Sequence, residues 1–182
     1  RGFSGPMGRR GGGRGGGRSS RMAQEKCYDV RLARARQRVA MYTLKRLLAL
    51  MCKIGVTNEM KNECKDLLNN NFAGEQQWRI RNIMDEKLLT AKVLDGPLDP
   101  KVEQMIVQYR IEVVGYELRC FENVAETRTE AQQVHSEMMA AMMKCQSYRS
   151  SLRDTEAANQ MDMMLRSVQA SVDSYLRFEC FN

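Results

Sequence analysis

The chain has 182 residues and a formal net charge of +7, a length that fits one folded domain with an appendage better than two full domains. No run of about twenty uncharged apolar residues occurs, which excludes a membrane-spanning helix, and charge and glycine occupy the place where a secretory signal has its apolar segment. We therefore expect a cytoplasmic or nuclear protein, or a virion component if the protein is viral.

The positive charge is concentrated at one end of the chain. Residues 1–21 carry +6 with no acid, residues 22–54 carry a further +6, and residues 55–182 carry −5. Such asymmetry is typical of a basic segment that binds nucleic acid or another anionic surface.

Residues 1–21 form a glycine- and arginine-rich segment, which we call the arm. It holds nine of the thirteen glycines, and this composition cannot bury enough apolar surface to fold, so we predict that the arm is disordered. Its Arg-Gly-Gly repeats at residues 10–12 and 14–16 are typical of single-stranded nucleic-acid binding, because guanidinium groups pair with phosphate and stack on bases. A solubilising linker is the alternative, although glycine and serine alone would serve that purpose. The candidate binding residues of the arm are Arg9, Arg10, Arg14, Arg18 and Arg21.

Residues 22–182 are predicted to form a single helical domain. Apolar residues at spacings of three and four predict helices over about 24–54, 58–69, 75–94, 100–149 and 155–178. Gly55 is expected to end the first helix, Thr57 or Asn58 to cap the second, and Asp99 followed by Pro100 to start the fourth. No strand-like alternation persists beyond a few residues, so the predicted fold class is all-α, a bundle of four to five helices.

The first predicted helix continues the positive charge of the arm. Arg31, Arg34, Arg38 and Lys45 lie at spacings that stack them along one side of a helix. Tyr28 and Tyr42 suit either base stacking or packing at the domain boundary. A charged stripe is also compatible with a merely solvated face, but together with the arm it makes a surface of about +12, which favours binding to phosphates with little sequence preference.

Membrane attachment is a competing use for a basic amphipathic helix. The leucines on the apolar side of this helix are needed for the core, and the arm has no myristoylation signal. We therefore expect no membrane partner.

Residues 100–149 carry a heptad-like seam of apolar and small residues with one extra step of four near Cys120. We predict one long helix here, which turns at residues 150–160 and forms a coiled-coil-like hairpin with the last helix; one uninterrupted helix is the alternative. A seam of this length needs a returning helix or a second chain to cover it. We expect self-association, which would multiply weak phosphate contacts, through Val113, Tyr116, Val134, Met138 and Met142.

Signatures of catalysis and metal binding are missing from the sequence. It contains no P-loop, dinucleotide fingerprint, nucleophile elbow or HExxH motif. With a single histidine and no C-x-x-C pair, a zinc site is not expected. The six cysteines are expected to be reduced and mostly packed on apolar helix faces.

These observations predict a non-enzymatic, RNA-binding structural protein that forms homo-oligomers and needs no cofactor, of the kind that makes a viral coat or nucleocapsid. The alternative is a helical adaptor within a larger protein assembly, with the arm as a regulatory tail.

Overall fold

The computed structural model describes residues 13–70, 74–89 and 98–177, with side chains from residue 27 onward except those of residues 88 and 89. Within these ranges the fold is all-α, as predicted. The helices are α1 (Gly13–Ile54), α2 (Asn58–Asn69), α3 (Gly74–Leu89), α4 (Pro100–Glu122), α5 (Arg128–Arg149) and α6 (Thr155–Tyr175). None of them combines the length and the apolar character that crossing a bilayer requires.

The first helix begins earlier than predicted, at Gly13 instead of near residue 24. The backbone of residues 13–21, part of the predicted arm, therefore continues α1, whereas residues 1–12 lie outside the described residues. Adding a residue to an existing helix gains a hydrogen bond without a new nucleation cost.

Local signals place most other helix ends correctly. Gly55 has a φ of 75°, the left-handed conformation that glycine adopts readily after a helix. Thr57 caps α2 by accepting a hydrogen bond from the N–H of Met60. Asp99 caps α4 by accepting one from the N–H of Lys101 at 2.8 Å, directly before Pro100.

The central element is α4, which packs against α1, α5 and α6, while α1 also packs against α2 and α3. Ile106, Val107, Val113, Val114 and Phe121 of α4 are completely buried. Burial of each such side chain contributes about 1.5–3 kcal/mol. The core of the bundle therefore surrounds α4.

The prediction of one helix over residues 100–149 is wrong, because α4 ends at Glu122 and α5 starts at Arg128. Thr127 caps α5: its Oγ1 accepts from the N–H of Glu130 at 3.2 Å. The carboxylate of Glu130 in turn accepts from the N–H of Glu126 at 2.9 Å. This is close to the reciprocal capping box that a threonine and a glutamate three residues later form. The extra step near Cys120 marked this break, so the described fold has six helices instead of the four or five predicted.

The predicted turn after residue 149 is confirmed. Asp154 caps α6 by accepting from the N–H of Ala157 at 3.0 Å. Glu103 of α4 accepts from the N–H groups of Arg153 and Asp154 at 3.0 and 2.7 Å. The turn is thus tied to α4, and α6 packs against both α5 and α4.

This packing covers the seam from within the chain. Val113, Val134, Met138 and Met142 are between 0 and 3% exposed, so they cannot contact a second copy without disrupting the core. Tyr116 is half-buried. We expected self-association through these five residues on the assumption that the seam is exposed on the surface of a single chain. Because α4, α5 and α6 pack against one another, no second chain is needed to cover the seam.

The cysteines are less uniformly packed than predicted. Burial raises the pKa of the Cys64 thiol to about 11, and its Sγ donates to the carbonyl of Leu44 at 3.1 Å. Cys145 is also buried and Cys120 is half-buried, but Cys27 and Cys52 are exposed. Cys180 lies outside the described residues.

Candidate nucleic-acid interface

Apart from Lys53 in the last turn, the α1 cations whose side chains the structure describes fall into two groups. Arg31, Arg36 and Arg46 form ion pairs with carboxylates of α4, α5 and the turn between them. Arg34, Arg38 and Lys45 are exposed and have no ion-pair partner among the side chains that the structure describes. The second group is therefore available to neutralise a bound anion, whereas the first group is engaged by the fold.

Arg31 therefore has a structural environment that the sequence did not reveal. Its Nε donates to the carbonyl of Val124 at 2.7 Å, its Nη2 donates to Glu130 at 2.7 Å, and its Nη1 lies 3.4 Å from Glu126. These contacts hold the turn between α4 and α5 against α1. Arg31 is therefore held by the fold and is not available to bind an anion.

Arg34, Arg38 and Lys45, which the sequence placed on one side of a helix, do lie together. They line a groove of about 410 Å³ on the surface of α1. Among the described residues the groove contains no carboxylate, and we call it the basic groove. Its members are Arg34, Gln37, Arg38, Met41, Tyr42, Lys45 and Tyr116.

Two aromatic rings stack inside the basic groove. The rings of Tyr42 and Tyr116 have centroids 4.0 Å apart and an interplanar angle of 7°, and both side chains are half-buried. Burial raises the pKa of Tyr116, and a hydrogen bond with Cys120 acts in the same direction. Tyr116 is therefore uncharged at neutral pH, and the two stacked rings lie among the cations that line the groove. Tyr28, the other tyrosine considered for stacking, is 6% exposed and packs in the core.

Arg119 of α4 is an exposed cation that does not line the basic groove but lies one helical turn from Tyr116. Burial raises the pKa of Cys120, and the charges of Arg38 and Arg119 both oppose that rise, which places the two guanidinium groups near the same thiol. A Cβ at Gly115 would lie 3.4 Å from Nη1 of Arg119, so the arginine extends back along α4 toward Tyr116. The sequence shows that Arg119 follows Tyr116 at a helical spacing. It does not show that Arg119 lies near α1, because that depends on how the two helices pack.

The cations of the arm lie on the same chain segment as the groove. Arg9 and Arg10 lie outside the described residues, and Arg14, Arg18 and Arg21 belong to α1 with their side chains outside the description. Residues 21 and 34 of one α-helix are separated by about 20 Å along its axis. The helix therefore connects the arm and the basic groove directly.

The described residues contain no group of three or more His, Cys, Asp or Glu side chains placed to hold a metal ion. No family model, curated protein or solved structure matches the chain. Its function is therefore inferred from the residues and their geometry.

Proposed function

We propose that the protein binds single-stranded nucleic acid, RNA in particular, along the arm and the basic groove. One observation carries the proposal: three unpaired cations, Arg34, Arg38 and Lys45, flank the Tyr42–Tyr116 stack in a groove lined by no described carboxylate. Proteins that bind single strands combine a positive groove for the backbone with aromatic rings for the bases.

The cations and the tyrosines contribute differently to binding. Guanidinium and ammonium groups neutralise phosphates and release counterions, which gives an affinity that falls steeply with salt. An exposed ring face accepts any base, and such stacking contributes about 1–3 kcal/mol per base. The groove is therefore suited to binding with little sequence preference, and the Arg-Gly-Gly repeats extend the contact along the strand.

A non-enzymatic role that coats or organises RNA fits this chemistry. Non-specific sites suit a protein that covers a strand, because each site contributes little and many act together. A homo-oligomer would use surfaces other than the four buried seam residues.

Anisotropy of a labelled single-stranded RNA tests the proposal with the full-length chain. The groove variant replaces Arg34, Arg38 and Lys45 with methionine. Its matched control replaces Lys65, Arg166 and Arg177, three exposed cations without described ion-pair partners, and so loses the same charge. We expect the groove variant to lose about tenfold in affinity or more and the control to lose about threefold or less. Equal losses of affinity in the two variants would show that binding depends only on net charge, and would contradict a site at the groove.

A third variant separates the arm from the groove. Replacing the six arginines of residues 1–21 with glutamine keeps the chain length and removes the cations. We expect this variant to lose affinity as well, since both segments contact phosphates. Unchanged affinity would restrict the site to the groove and disprove the part of the proposal that concerns the arm.

A further inference from the structure

A second, larger cavity lies between α3 and α5, over the central helix α4. Its volume is about 1090 Å³, near the upper end of the range for small-molecule sites. Trp78 and Asn82 line it from α3, Ala141 and Tyr148 line it from α5, and Leu98 lines it from the segment before α4. It shares no lining residue with the basic groove among the described residues. We call it the interhelical cavity.

The charged side chains at this cavity compensate one another. Among the described residues its lining holds four carboxylates and three cations, namely Glu86, Glu103, Glu117, Glu137, Arg81, Lys144 and Arg153. Arg81 pairs with Glu117, Glu137 pairs with Arg36, and Lys144 lies 3.4 Å from Asp85, which also pairs with Arg110. With these three partners the group contains five carboxylates and five cations. The cavity therefore offers no net charge that would select an anion or a cation.

Tyr148 places an unsatisfied polar group in this compensated wall. The residue is 4% exposed, and its buried hydroxyl has no hydrogen-bond partner among the described residues. Burial and the charge of Glu103, which also lines the cavity, raise the pKa of Tyr148, so the hydroxyl is protonated at neutral pH and can donate. A buried donor without an acceptor is unfavourable. A ligand that brings an acceptor atom to this hydroxyl would remove that cost.

Apolar side chains form another part of the cavity wall. Ala141 is 5% exposed and lies two helical turns before Tyr148, on the same face of α5. Trp78, Leu98 and Leu152 are half-buried and pack against the core. Small-molecule sites typically combine an apolar wall of this kind with a few polar groups that fix the orientation of the ligand. The wall therefore suits an apolar body that is held at one point by the Tyr148 hydroxyl.

We propose that the interhelical cavity binds an uncharged, mainly apolar small molecule that carries a hydrogen-bond acceptor such as a carbonyl oxygen. The acceptor takes the hydrogen bond that the Tyr148 hydroxyl donates, and the apolar body lies against Trp78, Leu98 and Ala141, which line the cavity. This site is independent of RNA binding.

The dye prodan tests the proposal with the full-length chain. It is a neutral naphthalene ketone, and its emission moves to longer wavelength when its carbonyl accepts a hydrogen bond. We expect saturable binding with energy transfer from Trp78, the only tryptophan of the chain. Anilinonaphthalene sulfonate has the same ring system but carries a negative charge, and it should bind about tenfold more weakly, because the cavity holds no excess cation to compensate a buried sulfonate. Equal or tighter binding of the sulfonate, or prodan binding without energy transfer from Trp78, would overturn the proposal.

A conservative substitution tests the role of the hydroxyl. Tyr148→Phe keeps the ring and removes the donor, so it should weaken prodan binding about fivefold and move the emission of the bound dye to shorter wavelength. Tyr28→Phe is the matched control, because Tyr28 does not line the cavity, and it should leave both quantities unchanged. Wild-type affinity and wild-type emission in Tyr148→Phe would contradict a hydrogen bond from this hydroxyl to the ligand.

The melting temperature of the ligand-free protein gives a second test. If the Tyr148 hydroxyl is an unpaired donor, Tyr148→Phe leaves the melting temperature unchanged or raises it by up to about 3 °C. A fall of that size would mean that the hydroxyl has a partner in the ligand-free fold, and would contradict the unsatisfied donor on which the site depends.

Discussion

Arg110 of α4 donates from a single nitrogen, Nη1, to both carboxylate oxygens of Asp85 on α3, at 2.7 and 2.6 Å. Both side chains are at most 1% exposed, and the Tyr109 hydroxyl donates to the same carboxylate at 3.1 Å. Burial alone would raise the pKa of Asp85, but Arg110, Arg81 and Lys144 hold it below its ordinary value. This pair therefore joins α3 to the central helix through charge that is hidden from water.

Asp85→Asn should destabilise the fold strongly. The substitution leaves Arg110 buried without a counter-charge, and removal of one partner from a buried pair costs about 3–5 kcal/mol. Urea unfolding followed by circular dichroism measures the free energy of unfolding. Asp66→Asn, on the exposed face of α2, is the control and should change it by less than about 0.5 kcal/mol. Similar values for the two variants would show that the Asp85 pair contributes no more than a surface residue.

The same pair predicts how stability depends on pH. The pKa of Asp85 in the folded state lies below its reference value of 3.8, so the folded state favours the ionised carboxylate. The ionised carboxylate of Asp85 therefore contributes fully to the stability of the fold at pH values above 3.8. This contribution is lost as the pH falls toward the lower pKa of the folded state. Melting temperatures between about pH 2 and pH 6 should fall steeply below about pH 4 in the wild type and less steeply in Asp85→Asn. Parallel curves would assign the acid sensitivity to other carboxylates.

Arg31 and Arg34 lie one helical turn apart and should behave in opposite ways. Arg31→Met removes one hydrogen bond to Val124 in the turn between α4 and α5 and one to Glu130 of α5. It should cost about 1–3 kcal/mol of stability with little change in RNA affinity. Arg34→Met should leave stability within about 0.5 kcal/mol and weaken RNA binding about threefold. Both variants are compared by urea unfolding and by titration with RNA. A stability loss in Arg34→Met together with an affinity loss in Arg31→Met would disprove this division of the α1 cations.

Tyr116→Leu separates base stacking from phosphate binding. Leucine keeps apolar bulk against Tyr42 but offers no aromatic face, so the affinity for single-stranded RNA should fall by about 1 kcal/mol or more. An abasic oligomer with the same number of phosphates should bind the variant and the wild type equally. If the abasic oligomer binds the wild type as tightly as RNA does, stacking on this tyrosine pair is refuted while phosphate binding stands.

The sequence predicted those features of the fold that depend on neighbouring residues. The end at Gly55, the start at Asp99 and the turn before Thr155 all rest on local caps. The break at Thr127 was missed because apolar spacing continued across it, although the capping pair with Glu130 was visible.

The candidate site could be predicted only in part, because it depends on helix packing. Arg34, Arg38 and Lys45 follow from spacing along one helix, and the structure does bring them together. Arg31 pairs with Glu130, and Tyr116 stacks on Tyr42. Both contacts depend on where α4 and α5 pack against α1. Sequence spacing within a helix carries no information about that placement.

The salt dependence of RNA affinity tests nucleic-acid binding at the basic groove most directly. For a single strand, the logarithm of the binding constant falls with the logarithm of salt concentration by about 0.7 for each neutralised phosphate. Replacement of Arg34, Arg38 and Lys45 with methionine should therefore make the slope shallower by about 2 and lower the affinity. A variant with the slope and the affinity of the wild type would contradict RNA binding at the groove.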